Sequence, residues 1–136
     1  MPRTKITRRQ ALAFGTLSLA DLPAFAQQDF PNRPLRMVVP YATGGGTDTI
    51  GRLLAAKLAE NWKTSVVVEN KPGAGGVIGN DMVAKAAPDG YTILMGITVM
   101  VQHPAMMPKL PYELLRDFYP LAVAARSADL FMVHRD

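Results

Sequence analysis

The amino-acid sequence predicts an α/β fold built on an open, mostly parallel sheet. Short apolar runs alternate with segments in which apolar residues recur at helical spacing, and a glycine-rich stretch precedes each helical segment. Strands and helices that alternate in this way pack as right-handed parallel crossovers. Hydrophobic residues make up 49% and charged residues 19% of the 136-residue chain, which is typical of a folded domain rather than a disordered one.

Three apolar runs are predicted as the strands of this sheet, at 35–40, 65–69 and 91–95. The first is apolar almost throughout, as expected of a strand that is covered on both faces. The second is rich in valine, whose branched side chain fits a pleated sheet. Two later runs, at 121–125 and 130–133, are predicted as further strands.

Helices are predicted after the first and second strands. Thr47 or Asp48 is expected to cap the first helix, because both side chains can accept a hydrogen bond from its opening N–H groups. The residues expected on the inner faces are Ile50, Leu53, Leu54 and Leu58 in the first helix and Ile78, Met82, Val83 and Ala86 in the second. Four prolines between 96 and 120 indicate a loop there, with a short helical turn at 103–107.

Residues 1–26 are predicted to be an export signal peptide. Four basic residues precede the apolar run 11–20, and Ala24-Phe25-Ala26 supplies the small-x-small pattern for cleavage after Ala26. The segment 7–12 resembles a twin-arginine motif, and the sequence leaves the export route open. Ten apolar residues span about 15 Å as a helix, half of a hydrocarbon core of about 30 Å, so no permanent membrane anchor is expected here. Either export route predicts a periplasmic protein.

The net charge of +4 belongs mostly to this leader. Residues 1–26 carry a net charge of +3, and residues 27–136 hold 11 Lys and Arg against 10 Asp and Glu, a net charge of +1. A nucleic-acid partner is therefore not expected, because the mature chain lacks a basic footprint. The chain has no cysteine, so disulfides and thiolate chemistry are excluded.

The two glycine-rich loops, 43–48 and 70–76, occupy equivalent places between a strand and a helix. Ligands of open α/β sheets bind at that edge. Each helix start exposes N–H groups without an intrahelical partner, and glycine lets a ligand approach the backbone closely. Two such turns side by side predict a site for an anion, and a carboxylate is the expected guest.

Three alternatives compete with a carboxylate site. A dinucleotide fingerprint would need a glycine where Ile78 follows Gly73 and Gly75, and neither loop ends in the Gly-Lys-Ser/Thr of a nucleotide-binding loop. A small Rossmann-type enzyme using the loops for a cofactor is thus the weaker hypothesis, and no cofactor is expected. The glycines could also form tight turns and nothing more.

Catalytic and metal sites are not predicted. Ser65 and Ser127 are the serines after the leader, and neither stands in a Gly-x-Ser-x-Gly motif. His103 and His134 are far apart in sequence and lack the spacing of a metal pair. Asp48 is expected to cap the helix or brace the loop rather than to act as a general base.

Five ordered motifs give the chain a resemblance to a known family. They are Val38-Val39-Pro40-Tyr41 followed by Gly-Gly-Gly-Thr-Asp, the segment from Val66 to Gly76 (VVVENKPGAGG), Ile78-Gly79, the segment from Ala87 to Thr92 (APDGYT), and Leu110-Pro111-Tyr112 with Asp117-Phe118. In these motifs the chain resembles the Bug family of extracytoplasmic receptors, the TctC-type solute-binding subunits of tripartite tricarboxylate transporters.

The resemblance implies a type II periplasmic-binding-protein fold, in which two α/β lobes close on a small carboxylated solute that is passed to membrane transporter subunits. It places residues 27–136 in part of the first, N-terminal lobe. The residues that it implies as ligand contacts are Tyr41, Thr43, Gly44, Gly45 and Asp48 from the first loop, Gly73, Ala74, Gly75 and Gly76 from the second, and Thr98 after the third strand.

The chain departs from the family pattern in two ways that bear on function. Ala42-Thr43 stands where a Pro-Pro pair is frequent. Members of the family are also more than twice as long, so a truncated lobe is expected that supplies one wall of the cleft. Such a chain should bind carboxylates at millimolar concentration or more weakly and should expose apolar surface and an unpaired strand edge. An inactive remnant of such a receptor is the alternative.

Overall fold

A computed structural model describes residues 30–127, so the predicted signal peptide and the predicted strand at 130–133 lie outside the described residues. The described part of the chain contains a parallel sheet and helices that follow its strands. The strands are β1 (Leu35–Val39), β2 (Val66–Asn70) and β3 (Thr92–Leu94), and the helices are α1 (Gly46–Trp62), α2 (Val77–Ala84), α3 (Val99–Met106) and α4 (Leu114–Asp117), with a 3-10 turn (Ala74–Gly76) ahead of α2.

The sheet has the strand order β2-β1-β3, and both pairings are parallel. Its central strand β1 carries the core, because Leu35, Met37, Val38 and Val39 are all buried. The register places Val39 opposite Asn70 and Val38 opposite Leu94, so the three strands end at the same edge. The prediction of an α/β fold with a parallel sheet is confirmed.

Helix α1 begins earlier than the sequence suggested. Gly45 is its N-cap and makes no side-chain capping bond, while Asp48 lies inside the first turn. The prediction that Thr47 or Asp48 caps the helix is therefore wrong. The physical reason is that the Asp48 carboxylate accepts hydrogen bonds from Gly44 N, Arg52 Nε and Asn70 Nδ2 instead of from the opening N–H groups of the helix.

The inner face of α1 also differs from the prediction. Gly51 and Ala55 are buried against the sheet, whereas Leu53 is 66% exposed. A Cβ at Gly51 would lie 3.2 Å from a Val39 methyl group. The helix therefore approaches β1 through its small side chains, which place the helix axis close to the sheet.

Helix α2 packs in the same manner. Gly79 and Asn80 are buried, whereas Ile78, which was expected on the inner face, is 54% exposed. A Cβ at Gly79 would lie 2.8 Å from the Pro40 Cα and 2.9 Å from the Lys71 carbonyl oxygen. Only glycine fits where this helix meets the ends of β1 and β2.

The proline-rich segment contains more helix than predicted. Helix α3 runs over eight residues and includes Pro104, where a turn at 103–107 was expected. Pro104 has no N–H to donate to the carbonyl four residues earlier, and the helix ends two residues after it. Residues 121–125 form no strand, so the prediction of a strand there is wrong. These residues are exposed, and no strand of the described region lies beside them to pair with.

Aromatic residues close the opposite end of the sheet, where the strands begin. The Phe30 ring lies 4.9 Å from the Tyr91 ring and 6.3 Å from the Trp62 ring, measured between centroids. The Arg33 guanidinium lies 4.1 Å from the centre of the Tyr91 ring. Within residues 30–127 no helix is both long and apolar enough to cross a membrane.

Candidate functional site

Three strand-to-helix connections meet at the carboxyl edge of the sheet. They are the first loop (residues 40–45), the second loop (residues 71–76) and the third connection (residues 95–98). The sheet fixes where they start, since Lys71 N donates to the Val39 carbonyl at 2.8 Å and Met95 N donates to the Val38 carbonyl at 2.9 Å. The predicted juxtaposition of the two glycine loops is thus present.

The first loop presents the free N–H groups of a long helix. Gly44 has φ +84°, which only glycine adopts without strain, and its N–H donates to Asp48 at 2.8 Å. The N–H groups of Gly45, Gly46 and Thr47 have no hydrogen-bond partner in the described region. These three donors point out of the start of α1 and can bind an anion.

The buried side chain of Asp48 stabilises the first loop through hydrogen bonds. Its side chain is 2% exposed, and its oxygens accept hydrogen bonds from Gly44 N, Arg52 Nε and Asn70 Nδ2. The hydrogen bond from Arg52 first, and then those from Gly44 and Asn70, lower the pKa of Asp48 to about 2. The carboxylate is therefore ionised at neutral pH, and both of its oxygens accept hydrogen bonds that hold the first loop in shape.

The second loop runs through consecutive residues with positive φ. Gly73, Gly75 and Gly76 have φ values of +131°, +65° and +105°, and Ala74, at φ +48°, adopts a conformation that costs a non-glycine residue energy. Gly76 N donates back to the Gly73 carbonyl at 2.9 Å, which closes the turn. The N–H groups of Ala74 and Gly75 remain without partners in the described region, and both residues are exposed.

Asn70 joins the two loops. Its side-chain nitrogen donates to the Tyr41 carbonyl at 3.1 Å and to Asp48 Oδ1 at 2.9 Å, while its oxygen accepts from Arg52 Nη2 at 3.0 Å. Both amide hydrogens and the amide oxygen of Asn70 are hydrogen-bonded, so the end of β2 holds the backbone of the first loop in place. From sequence alone Asn70 was only the first residue of the second glycine-rich loop, and no role was predicted for its side chain.

Tyr41 makes the second link between the loops. Its hydroxyl oxygen lies 3.0 Å from the position that a Cβ on Gly76 would take. Burial, and then the neighbouring Tyr112 hydroxyl, raise the pKa of Tyr41 above its ordinary value. The hydroxyl therefore keeps its proton and can donate a hydrogen bond at neutral pH.

The remaining predicted residues occupy the rim. Thr43 is exposed in the first loop, and Thr98 is exposed where the third connection enters α3. The residues that the sequence did not point to are Arg52 and Asn70, which support the first loop, and Asn80 and Tyr112, which are hydrogen-bonded to each other in the interior. Their roles depend on contacts between distant parts of the chain, which no local motif reports.

Neither a metal site nor an enclosed pocket is found at this edge of the sheet within the described residues. No group of three or more metal-ligating side chains comes together within residues 30–127. Two surface depressions lie away from this edge, one between the end of α3 and α4 and the other between α1 and β2. The loops thus form an open, amide-rich ledge and not a closed pocket.

Comparison with known proteins assigns the family. The model of the tripartite tricarboxylate transporter family receptor, TctC, matches residues 50–136. The chain is 41% identical over 133 residues to a UPF0065 protein of Pseudomonas sp. (strain P51), covering 96% of this chain and 40% of that protein. It is 39% identical over 121 residues to protein BugT of Bordetella pertussis, covering 87% of this chain and 37% of BugT.

A solved structure supports the same family assignment. The crystal structure of a TctC solute binding protein from Polaromonas is 39% identical and superimposes with a TM-score of 0.54, over 57% of this chain and 27% of the other. The chain therefore spans well under half the length of the relatives it matches. Members of this family are periplasmic solute-binding receptors, so the expectation that the chain is not an enzyme is confirmed. By sequence and by fold, this chain belongs to the TctC, or Bug, family of transporter receptors.

Proposed function

We propose that this chain forms one wall of a carboxylate-binding site in a periplasmic receptor that delivers organic acids to a tripartite tricarboxylate-type transporter. The observation that carries the proposal is the pair of N–H-rich turns, tied together by Asn70 at one edge of the sheet. The free N–H groups of Gly45, Gly46 and Thr47 in the first loop and of Ala74 and Gly75 in the second form a donor set without a formal charge.

A carboxylate suits this donor set for geometric and electrostatic reasons. Its two oxygens can each accept from one loop, and the start of α1 adds the partial positive charge of a 17-residue helix. The proposed contacts are the residues implied by the family resemblance, together with the N–H groups of Gly46 and Thr47. Within that set, Asp48 contributes through the shape of the loop, because its carboxylate already accepts three hydrogen bonds.

The expected affinity of the isolated chain is low. Two or three charge-assisted hydrogen bonds contribute roughly 1.5–3 kcal/mol each, and the loss of translational and rotational freedom takes back about 4 kcal/mol or more. A dissociation constant of 1 mM corresponds to about 4 kcal/mol. We therefore expect millimolar or weaker binding from this wall alone.

Calorimetry with succinate tests the proposal. Succinamide, in which neutral amides replace both carboxylates, is the matched control. We expect a heat of binding for succinate that saturates in the millimolar range or above, and none for succinamide. Equal heats for the two compounds would contradict a carboxylate site, and a micromolar dissociation constant would contradict the single-wall account.

Export and delivery complete the proposal. We propose that residues 1–26 direct the chain to the periplasm, with cleavage after Ala26, and that residues 27–136 belong to the N-terminal lobe of the receptor. Mass spectrometry of the chain recovered from the periplasm should give a new N-terminus at Gln27. A mature chain that keeps Met1 would refute the predicted cleavage.

A further inference from the structure

A buried polar cluster lies beneath the second loop and has no part in the donor set described so far. It consists of Asn80 on α2, His103 on α3 and Tyr112 ahead of α4, all of which are buried, with His103 only 1% exposed. Buried polar side chains in native proteins are almost always paired, so each unpaired atom calls for a physical explanation.

The hydrogen bonds of the cluster indicate which nitrogen of the His103 ring carries the hydrogen. Asn80 Nδ2 donates to the Tyr112 hydroxyl oxygen at 3.1 Å. The hydroxyl has one hydrogen to give, and His103 Nδ1 lies 2.8 Å from it. No other acceptor for that hydrogen is found in the described region, so the tautomer that leaves no hydroxyl hydrogen unpaired has Nδ1 as the acceptor and the ring hydrogen on Nε2. His103 is thus an N–H donor on its far side.

That donor lacks a partner and faces the second loop. His103 Nε2 is buried and has no hydrogen bond in the described region. It lies 3.6 Å from the position that a Cβ on Gly75 would take. The Tyr41 hydroxyl is likewise buried without a partner and lies against Gly76, the next residue. Two unused donors therefore back consecutive glycines of the loop that carries the free N–H groups of Ala74 and Gly75.

We propose that His103 Nε2 and the Tyr41 hydroxyl form an additional subsite for the solute, which donates to one carboxylate oxygen behind Gly75 and Gly76, directly or through one water. The inference rests on the proposed carboxylate-binding function and adds side-chain donors to it. An N–H and an O–H that point to one place can both donate to the same carboxylate oxygen. Gly75 has no side chain, and the place that a Cβ would take there lies 3.6 Å from Nε2, so the glycine backbone alone separates this donor from the exposed side of the loop.

Nitrogen NMR of the imidazole tests the subsite in the unmodified chain. The chain has two histidines, and His134→Asn assigns the signals of His103. Before ligand is added, the pattern should be that of the Nε2–H form. Titration with sodium succinate should then move the His103 Nε2 signal, with the same midpoint as the calorimetric binding curve, whereas succinamide should leave it in place.

Two substitutions separate the two ring nitrogens. His103→Gln places an amide nitrogen near the position of Nε2, and His103→Asn places a polar group near Nδ1 and removes the donor behind Gly75. We expect His103→Gln to bind succinate within about threefold of the unmodified chain and His103→Asn to bind about tenfold more weakly, the usual effect of losing one charge-assisted hydrogen bond.

The outcomes distinguish the two proposals. If calorimetry shows no succinate binding at all, both the proposed function and the subsite are wrong. If succinate binds with the expected affinity but the Nε2 signal stays in place, the subsite alone is wrong. An Nδ1–H ring, or equal affinities for His103→Asn and the unmodified chain, would also overturn it. The imidazole signal of the unmodified chain decides the question if either variant fails to fold.

Discussion

At the scale of single residues, Asp48 links the shape of the first loop to pH. Its folded-state pKa of about 2 lies below the ordinary value of 3.8, because Arg52, Gly44 and Asn70 donate to the ionised carboxylate. The stabilising contribution is therefore complete above about pH 4 and is lost as the pH falls towards 2. Asp48→Asn should remove this part of the acid sensitivity, as measured by urea unfolding between pH 2 and pH 7.

The matched control for Asp48 is Glu60→Gln, since Glu60 is an exposed carboxylate paired with Lys57 on the same helix. This variant should keep the pH dependence of the unmodified chain. If Asp48→Asn shows the same dependence of unfolding free energy on pH as the unmodified chain, Asp48 does not brace the loop.

Gly79 packs so closely against the backbone of neighbouring segments that a side chain there has no room. A Cβ there would approach backbone atoms of both Pro40 and Lys71 to less than 3 Å, and backbone atoms cannot yield as a flexible side chain can. Gly79→Ala should lower the free energy of unfolding by about 2–3 kcal/mol. Gly46→Ala is the control, because nothing lies within 4 Å of its added methyl group. Comparable losses for the two variants in chemical denaturation would contradict this packing.

Residue patterns predicted the two loops better than they predicted the side chains that pack and hydrogen-bond behind the loops. The glycines at 44–46 and 73–76 identified both turns, because glycine is the residue that positive φ and close backbone approach require. Asn70 and His103 were not assigned to the site. Their partners, Tyr41 and Tyr112, are 29 and 9 residues away, so their roles appear only once the sheet brings these segments together.

At the scale of elements, the helices pack through small residues. Periodicity predicted an inner face of α1 made of Ile50, Leu53, Leu54 and Leu58. Leu53 is mostly exposed and the other three are half-buried, whereas the apolar side of the helix that is fully buried consists of Gly51 and Ala55. Counting large apolar residues misses such a face, because close helix–sheet contact favours the smallest side chains. The three strands of the sheet were predicted to within one or two residues, since their short apolar runs are bounded by clear turn signals, whereas the strand predicted at 121–125 does not form.

Two substitutions on α1 test this packing. Leu53→Lys changes a side chain that is mostly exposed and should alter the free energy of unfolding by less than about 0.5 kcal/mol. Ala55→Leu adds volume against the sheet and should cost about 1–3 kcal/mol. Urea denaturation of both variants measures the difference, and the reverse order would restore the inner face predicted from periodicity.

At the scale of the whole molecule, the described residues leave apolar surface and strand edges uncovered. Val67, Val101, Met106, Leu115, Tyr119, Leu121 and Val123 are all substantially exposed. Within residues 30–127, β2 and β3 each pair along one side only. Unpaired edges and exposed apolar side chains favour association between copies.

We therefore expect the chain to self-associate as its concentration rises. Size-exclusion chromatography with light scattering should show an average mass that increases above the 14.8 kDa of one chain. Addition of Val67→Lys, which places a charge on the edge strand, should reduce the effect. A constant monomer mass at high concentration would show that the exposed surface is covered in solution.

The central claim is that two amide-rich turns at one edge of the sheet together bind a carboxylate. Amide NMR of the chain during a succinate titration tests it most directly, because each N–H group reports separately. The account predicts that the amides of Gly45, Gly46, Thr47, Ala74 and Gly75 shift together with one midpoint, while Gly90 at the far end of the sheet stays unchanged. Shifts confined to one loop, or spread over residues outside both loops, would contradict it.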